Sequence, residues 1–205
     1  GSHHGIMAEG GDIELNNVEI SDVKANEQRA AIRVNNASSK VTGKDVTITD
    51  GSLGINADKG EVVIQNLTSS ATLKNVEALG ATITIKKSTL NTTSSNNVEV
   101  TAGTLTLENV DVKGGSYGIY KYIPEDSNAT GGVLNVKKVT VSDSVKEGIW
   151  QEAGSIAGET LELKNTGGPA IENKNGASVE ISDLTVSGVK DGHSIKNEDS
   201  GSTVV

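Results

Sequence analysis

Along the chain an apolar-polar-apolar triplet, a polar pair and a second such triplet recur eight times. The fullest copies read Ile13-x-Leu15-Asn16-Asn17-Val18-x-Ile20, Leu105-x-Leu107-Glu108-Asn109-Val110-x-Val112 and Leu134-x-Val136-Lys137-Lys138-Val139-x-Val141. Copies begin at residues 13, 41, 62, 83, 105, 134, 156 and 179, in steps of 28, 21, 21, 22, 29, 22 and 23 residues. A repeat of this length marks an architecture of stacked units. Inside each triplet the period is two, which belongs to a strand with one dry and one wet face rather than to a helix. The polar pair interrupts that period. Both flanking strands keep their apolar residues on the same side only if the chain turns there.

A third apolar anchor follows in most units, at Ile32, Ile55, Ile119, Ile149, Ile171 and Ile195, often directly after glycine as in Gly118-Ile119 and Gly148-Ile149. Three short strands per turn of about 22 residues predict a parallel β-helix, with rungs about 4.8 Å apart and a rod roughly 40 Å long. The strong preference of parallel crossovers makes it right-handed. One unit has a competing phase, Ala71-x-Leu73-Lys74-Asn75-Val76. Starting at Val62 is preferred because it leaves steps of 21 residues on both sides, whereas Ala71 leaves 30 and 34. The first and fifth units are longer, around residues 25–29 and 123–129, and such insertions become surface loops, often on a binding face.

The domain reading is one all-β solenoid of about eight coils over residues 11–205. Residues 1–10 are read as an expression scar, Gly1-Ser2-His3-His4-Gly5, and a lead-in. Residues 201–205 carry no capping segment for an open ladder, so the chain is expected to be a piece of a longer solenoid.

Composition narrows the function classes. A net charge of −9, with Arg29 and Arg33 the only arginines, argues against nucleic acid and against an anionic membrane surface. No run of 18 apolar residues exists to form a membrane-spanning helix. The absence of cysteine suits a chain that stays unfolded until export, and with His3 and His4 in the scar and His193 alone, no zinc site is expected. Calcium held by Glu125, Asp126, Asp143, Glu147 and Glu152 is disfavoured, because acids on a wet face are usually solvated. Gly114-Gly115-Ser116-Tyr117-Gly118 matches a nucleophile elbow that His193 could serve, but that motif needs a strand-to-helix turn and repeat strands surround it here. No catalytic residue, cofactor or metal is assigned.

The local anomaly is aromatic. All four rings of the chain, Tyr117, Tyr120, Tyr122 and Trp150, fall in the fifth and sixth units. Aligned on Ile119 and Ile149, Tyr120 and Trp150 occupy the same coil position and point outward, in a row that reads Arg33, Asn56, Tyr120, Trp150, Glu172, Lys196. Tyr117, Tyr120, Lys121, Tyr122, Glu125, Asp126, Trp150, Glu152 and Glu172 are therefore the candidate binding residues, since exposed Tyr and Trp dominate interface energetics. The competing account is that the rings only shield the base of the long loop. Asn173, Asn175 and Asn197 read as a structural ladder at a coil bend.

Residues 105–112, 114–120 (Gly-Gly-Ser-Tyr-Gly-Ile-Tyr) and 130–136 (Thr-Gly-Gly-Val-Leu-Asn-Val) resemble the degenerate coils of bacterial autotransporter passengers and related surface adhesins. Those proteins belong to the pectate-lyase-like right-handed β-helices. The resemblance, spanning residues 11–200, implies an exported segment on the bacterial cell surface, without a cofactor and without membrane insertion of its own. It implies adhesion, self-association or host contact, with a carbohydrate or protein partner on a host or neighbouring cell. Polysaccharide lyases and glycoside hydrolases share the fold and form the alternative, with acids such as Asp126, Glu147 and Glu152 near the rings. A trimeric tail-spike-like fibre is a third reading.

Overall fold

The computed structural model describes residues 4–23, 29–125 and 128–205. It is all-β, a parallel solenoid of about nine turns that matches the right-handed β-helix expected above. One ladder contains β2 (Gly11–Ser21), β4 (Ser39–Thr49), β6 (Glu61–Ser70), β10 (Val133–Ser142), β12 (Ser155–Lys164), β14 (Ser178–Ser187) and β16 (Ser202–Val204). The other contains β1 (Ile6–Ala8), β3 (Ala30–Val34), β5 (Leu53–Ala57), β9 (Ile119–Lys121), β11 (Ile149–Gln151), β13 (Ile171–Asn173) and β15 (Ile195–Asn197). Two long strands, β7 (Lys74–Thr92) and β8 (Val98–Gly114), run through both.

The register follows the hydrophobic repeat residue for residue. Ile13 pairs with Val41, and the series continues through Val62, Ile83, Leu105, Leu134, Ile156 and Val179. Thr203 of β16 adds a further rung beyond Val179. The third anchors stack likewise, Ile32 on Ile55 and onward to Ile119, Ile149, Ile171 and Ile195, with Val76 and Val98 filling the rungs between. The segment around Leu73 to Val76 thus belongs to the second ladder, and Val62 starts its unit. Ile6–Ala8, counted with the lead-in, pair with Ile32–Val34 and extend that ladder. Buried aliphatic side chains from Ala8 to Ile181 form one core cluster, as the alternation demands.

Each turn is closed by residues in the left-handed region. The second member of the polar pair supplies it at Asn17, Asp45, Asn66, Lys87, Asn109 and Lys138, with φ between 49° and 57°. Asn and Asp adopt that conformation readily because their short side chains bond the local backbone. The pair therefore bends the strand without breaking the ladder. Ion pairs between rungs, such as Lys86–Glu108 at 2.8 Å and Lys40–Glu61 at 3.1 Å, decorate the wet faces and contribute little each.

The glycine before the third anchor has a steric cause. A Cβ on Gly118 would lie 2.2 Å from Val141 Cγ1 and 2.7 Å from the Gly148 carbonyl oxygen. This accounts for part of the elbow-like motif. Its Ser116 hydroxyl donates to the Ser94 carbonyl at 2.9 Å, and His193 is exposed.

Candidate functional site: an aromatic cluster beside a groove

Period two decides which side chains reach the surface of the second ladder. In β9 and β11 the middle residues, Tyr120 and Trp150, point away from the core while Ile119 and Ile149 are buried. Direct pairing brings the two rings into a near-parallel stack, 4.7 Å between centroids at 11°. Tyr117, from the turn before β9, lies 4.8 Å from Tyr120 and 6.2 Å from Trp150, and Tyr122 lies 5.0 Å from Tyr120 on the other side. The expected row is observed and is longer than the alignment suggested: Met7, Arg33, Asn56, Glu77, Glu99, Tyr120, Trp150, Glu172 and Lys196.

Lysines cap the outer ring faces. The Lys174 ammonium sits 5.7 Å from the Trp150 ring and that of Lys146 5.1 Å from Tyr117, both within cation–π range. Lys174 is also held by Glu172 at 2.8 Å and Glu198 at 3.1 Å, hydrogen bonds that raise its pKa. Glu172, a candidate contact, is thereby 6 % exposed and occupied by Lys174.

On the N-terminal side of Tyr120 opens a groove of ≈590 Å³ lined by Lys74, Ser95, Asn96, Glu99 and the three tyrosines. Its acidic floor is built in. Glu99 accepts from Lys74 at 2.8 Å and from Asn96 at 3.0 Å, and Lys74 also reaches Glu77 at 2.6 Å. Burial pulls the Lys74 ammonium down, but these carboxylates win and raise it above the ordinary lysine value. Burial, followed by Tyr117, Glu152 and Glu99, pushes the Tyr120 hydroxyl up to about 12, and burial with Glu99 raises Tyr122 as well. These tyrosines stay neutral donors throughout the physiological range.

Of the candidate residues, the structure gathers Tyr117, Tyr120, Tyr122 and Trp150, with Glu152 close enough to act on Tyr120. Glu125 is exposed in the turn after Tyr122, and Asp126 lies outside the described residues. Lys121 corrects the sequence reading: it is fully buried, and its ammonium donates to the carbonyls of Gly131 at 2.5 Å and Gly132 at 3.0 Å. Tyr120 outward requires Lys121 inward, so the same alternation that found the rings excludes the lysine. Lys74, Glu77 and Glu99 are not flagged by the sequence because Val76 and Val98 fall within β7 and β8, which run through both ladders without a separate third segment.

Lys121 begins an internal polar column. Gln151 on the next rung donates to the Gly154 and Ser178 carbonyls, and Asn173 above it to those of Ala177 and Ser202. Of the expected asparagine ladder, Asn173 carries the corner role; Asn197 pairs with it in register but is exposed and accepts from Thr203, and Asn175 is exposed in the left-handed region. A second ladder, unforeseen, sits at another corner: Asn75 donates to Asn97 Oδ1 at 2.8 Å, and Asn97 donates to the Leu90 and Lys113 carbonyls. Asn97→Ala is expected to cost about 2 kcal/mol by orphaning these buried groups, measurable by chemical denaturation. An unchanged midpoint would show the ladder to be dispensable.

Among the described residues no cluster of His, Cys, Asp and Glu could hold a metal ion. Comparison with family models, with curated proteins and with solved structures gives no match. The class defined by the fold is a parallel β-helix compatible with the pectate-lyase-like superfamily.

Proposed function

We propose that the chain is a non-enzymatic binding segment of a bacterial cell-surface adhesin of the autotransporter-passenger type. It is displayed outside the cell and meets a carbohydrate or protein on a host or neighbouring cell. The observation that carries this reading is the four-ring cluster, 4.7 to 6.2 Å between centroids, placed beside an open groove. Tyr and Trp concentrate binding energy at interfaces, and a rigid ladder presents them without a large ordering cost. Individual contacts are weak and add through multiple copies on one surface.

The carboxylates nearest the rings argue for contact over chemistry. Glu77, Glu99 and Glu172 are each engaged by a lysine, which ties up the carboxylates of the ring row itself. The competing reading, a polysaccharide-cleaving enzyme, draws on Glu147, whose carboxyl is raised above its ordinary pKa by burial. Incubation with neutral and acidic polysaccharides is expected to release neither reducing ends nor unsaturated products. Trp150→Ala, which removes the ring stacked on Tyr120, is expected to weaken cell binding of the multivalently displayed protein at least about tenfold. Wild-type adherence by that variant would end the contact-face reading.

A further inference from the structure

We infer that the groove on the N-terminal side of Tyr120 takes an uncharged oligosaccharide. This names the ligand of the contact face proposed above and rests on that reading. Tyr120 has two ladder neighbours, Trp150 and Glu99. One ring face is stacked on Trp150, and the Lys174 ammonium lies over the Trp150 ring in turn. Tyr120, unlike Trp150, lines the groove beside the Glu99 rung, with Tyr117 and Tyr122 tilted 43° against it at 4.8 and 5.0 Å. Trp150 is thus a brace, and Tyr120 the platform.

Charge selects among guests. An anionic sugar brought to this wall meets Glu99, with Glu77 behind it, and only one ammonium, Lys74, shared between the two. A cationic side chain meets Lys74, whose ammonium already occupies the two nearest carboxylates, Glu77 and Glu99. A neutral guest meets neither penalty. Leu53 and Leu73 give the wall apolar stretches, but a purely apolar guest is disfavoured because Ser95, Asn96, Lys74 and the tyrosine hydroxyls would lose water without replacement partners. A sugar ring offers what remains: an apolar face for Tyr120 and hydroxyls at its rim that both donate and accept.

Size and direction agree. The groove of ≈590 Å³ falls within the range of about 300–1,000 Å³ usual for small-ligand sites. A second groove of ≈500 Å³ shares Leu53 with it and continues along the same row past Glu77, Asn56 and Arg33. The occupant is accordingly a chain of sugars lying along the rod axis, not a single residue.

The test is calorimetric titration of the whole protein with a panel of neutral hexose and N-acetylhexosamine oligosaccharides, with oligogalacturonate and pentalysine as charged comparators. At least one neutral member is expected to bind, and the charged comparators at least tenfold more weakly. Tyr120→Leu removes the platform and Ser95→Trp fills the groove while leaving all four rings, so each is expected to weaken the neutral ligand at least tenfold. If Tyr120→Leu does not fold, Ser95→Trp decides alone. Preferred binding of oligogalacturonate or pentalysine, no binding of any neutral member, or unchanged binding by Ser95→Trp would each overturn the inference. Adherence to cells scored in parallel separates the two levels: adherence without oligosaccharide binding discards the ligand and keeps the adhesin, and loss of both discards the adhesin too.

Discussion

Valine in place of Gly154 is expected to destabilise the solenoid by about 4 kcal/mol, the sum of a backbone and a packing cost. Gly154 has φ +77°, where a β-branched residue is strained. Its added Cβ would stand 2.2 Å from the Gly132 carbonyl oxygen on the rung below, and a backbone atom cannot swing aside as a flexible side chain could. Gly176 provides the internal control, because it has φ +74° one residue before the position equivalent to Gly154 on the next rung but nothing within 4 Å of the added atom. Gly176→Val should therefore show the backbone cost alone, about 1–2 kcal/mol. In a solenoid each rung touches only its neighbours, so damage at one corner is felt locally before it is felt globally. Native-state hydrogen exchange should show Ser155–Lys164 of β12 losing protection in Gly154→Val while β4 and β6 keep theirs. Equal effects of the two substitutions would mean that rung-to-rung approach does not limit this corner.

How far the fold was legible follows from what a period of two can and cannot carry. Ile13, Val41, Val62, Ile83, Leu105, Leu134, Ile156 and Val179 could be stacked from sequence alone, because a slip of one residue would turn a whole aliphatic set into water. The rungs of Val76 and Val98 were harder. There the strand runs on through both ladders without a separate third segment, so the flanking Glu77 and Glu99 went unnoticed. The outward stack of Tyr120 on Trp150 was readable from alignment on the two isoleucines. What ring geometry adds is that Trp150 stacks on Tyr120 and meets Lys174 as well, while Tyr120 and not Trp150 lines the groove. No pattern in the sequence states which ring of a stacked pair lines a groove. Lys121 is the opposite case, since its inward direction was implied by Tyr120 and was masked by the habit of placing lysine at the surface.

That buried lysine makes stability rise with pH where most proteins level off. Burial alone lowers the Lys121 pKa from 10.5 to about 8. Below pH 8 the ammonium is present in both states, and the folded protein carries a cost of about 3 kcal/mol for holding it away from water. Between the two pKa values the unfolded chain binds the proton and the folded one does not, so stability increases with pH. From pH 8 to pH 10 the gain is about 2 kcal/mol, and it ends near the unfolded value. Above pH 10 the tyrosines oppose it, because Tyr120 ionises in the unfolded chain well before its folded value of about 12. Lys121→Gln isolates the effect. Gln151, one rung on, shows that a neutral amide at this column can donate to two corner carbonyls, so the variant keeps hydrogen bonds and loses the charge. Urea midpoints measured from pH 7 to pH 10 should climb for the wild type relative to Lys121→Gln, with the curves converging toward pH 10. Parallel curves would mean that the Lys121 ammonium is not desolvated, and that water reaches the corner it shares with Gly131 and Gly132.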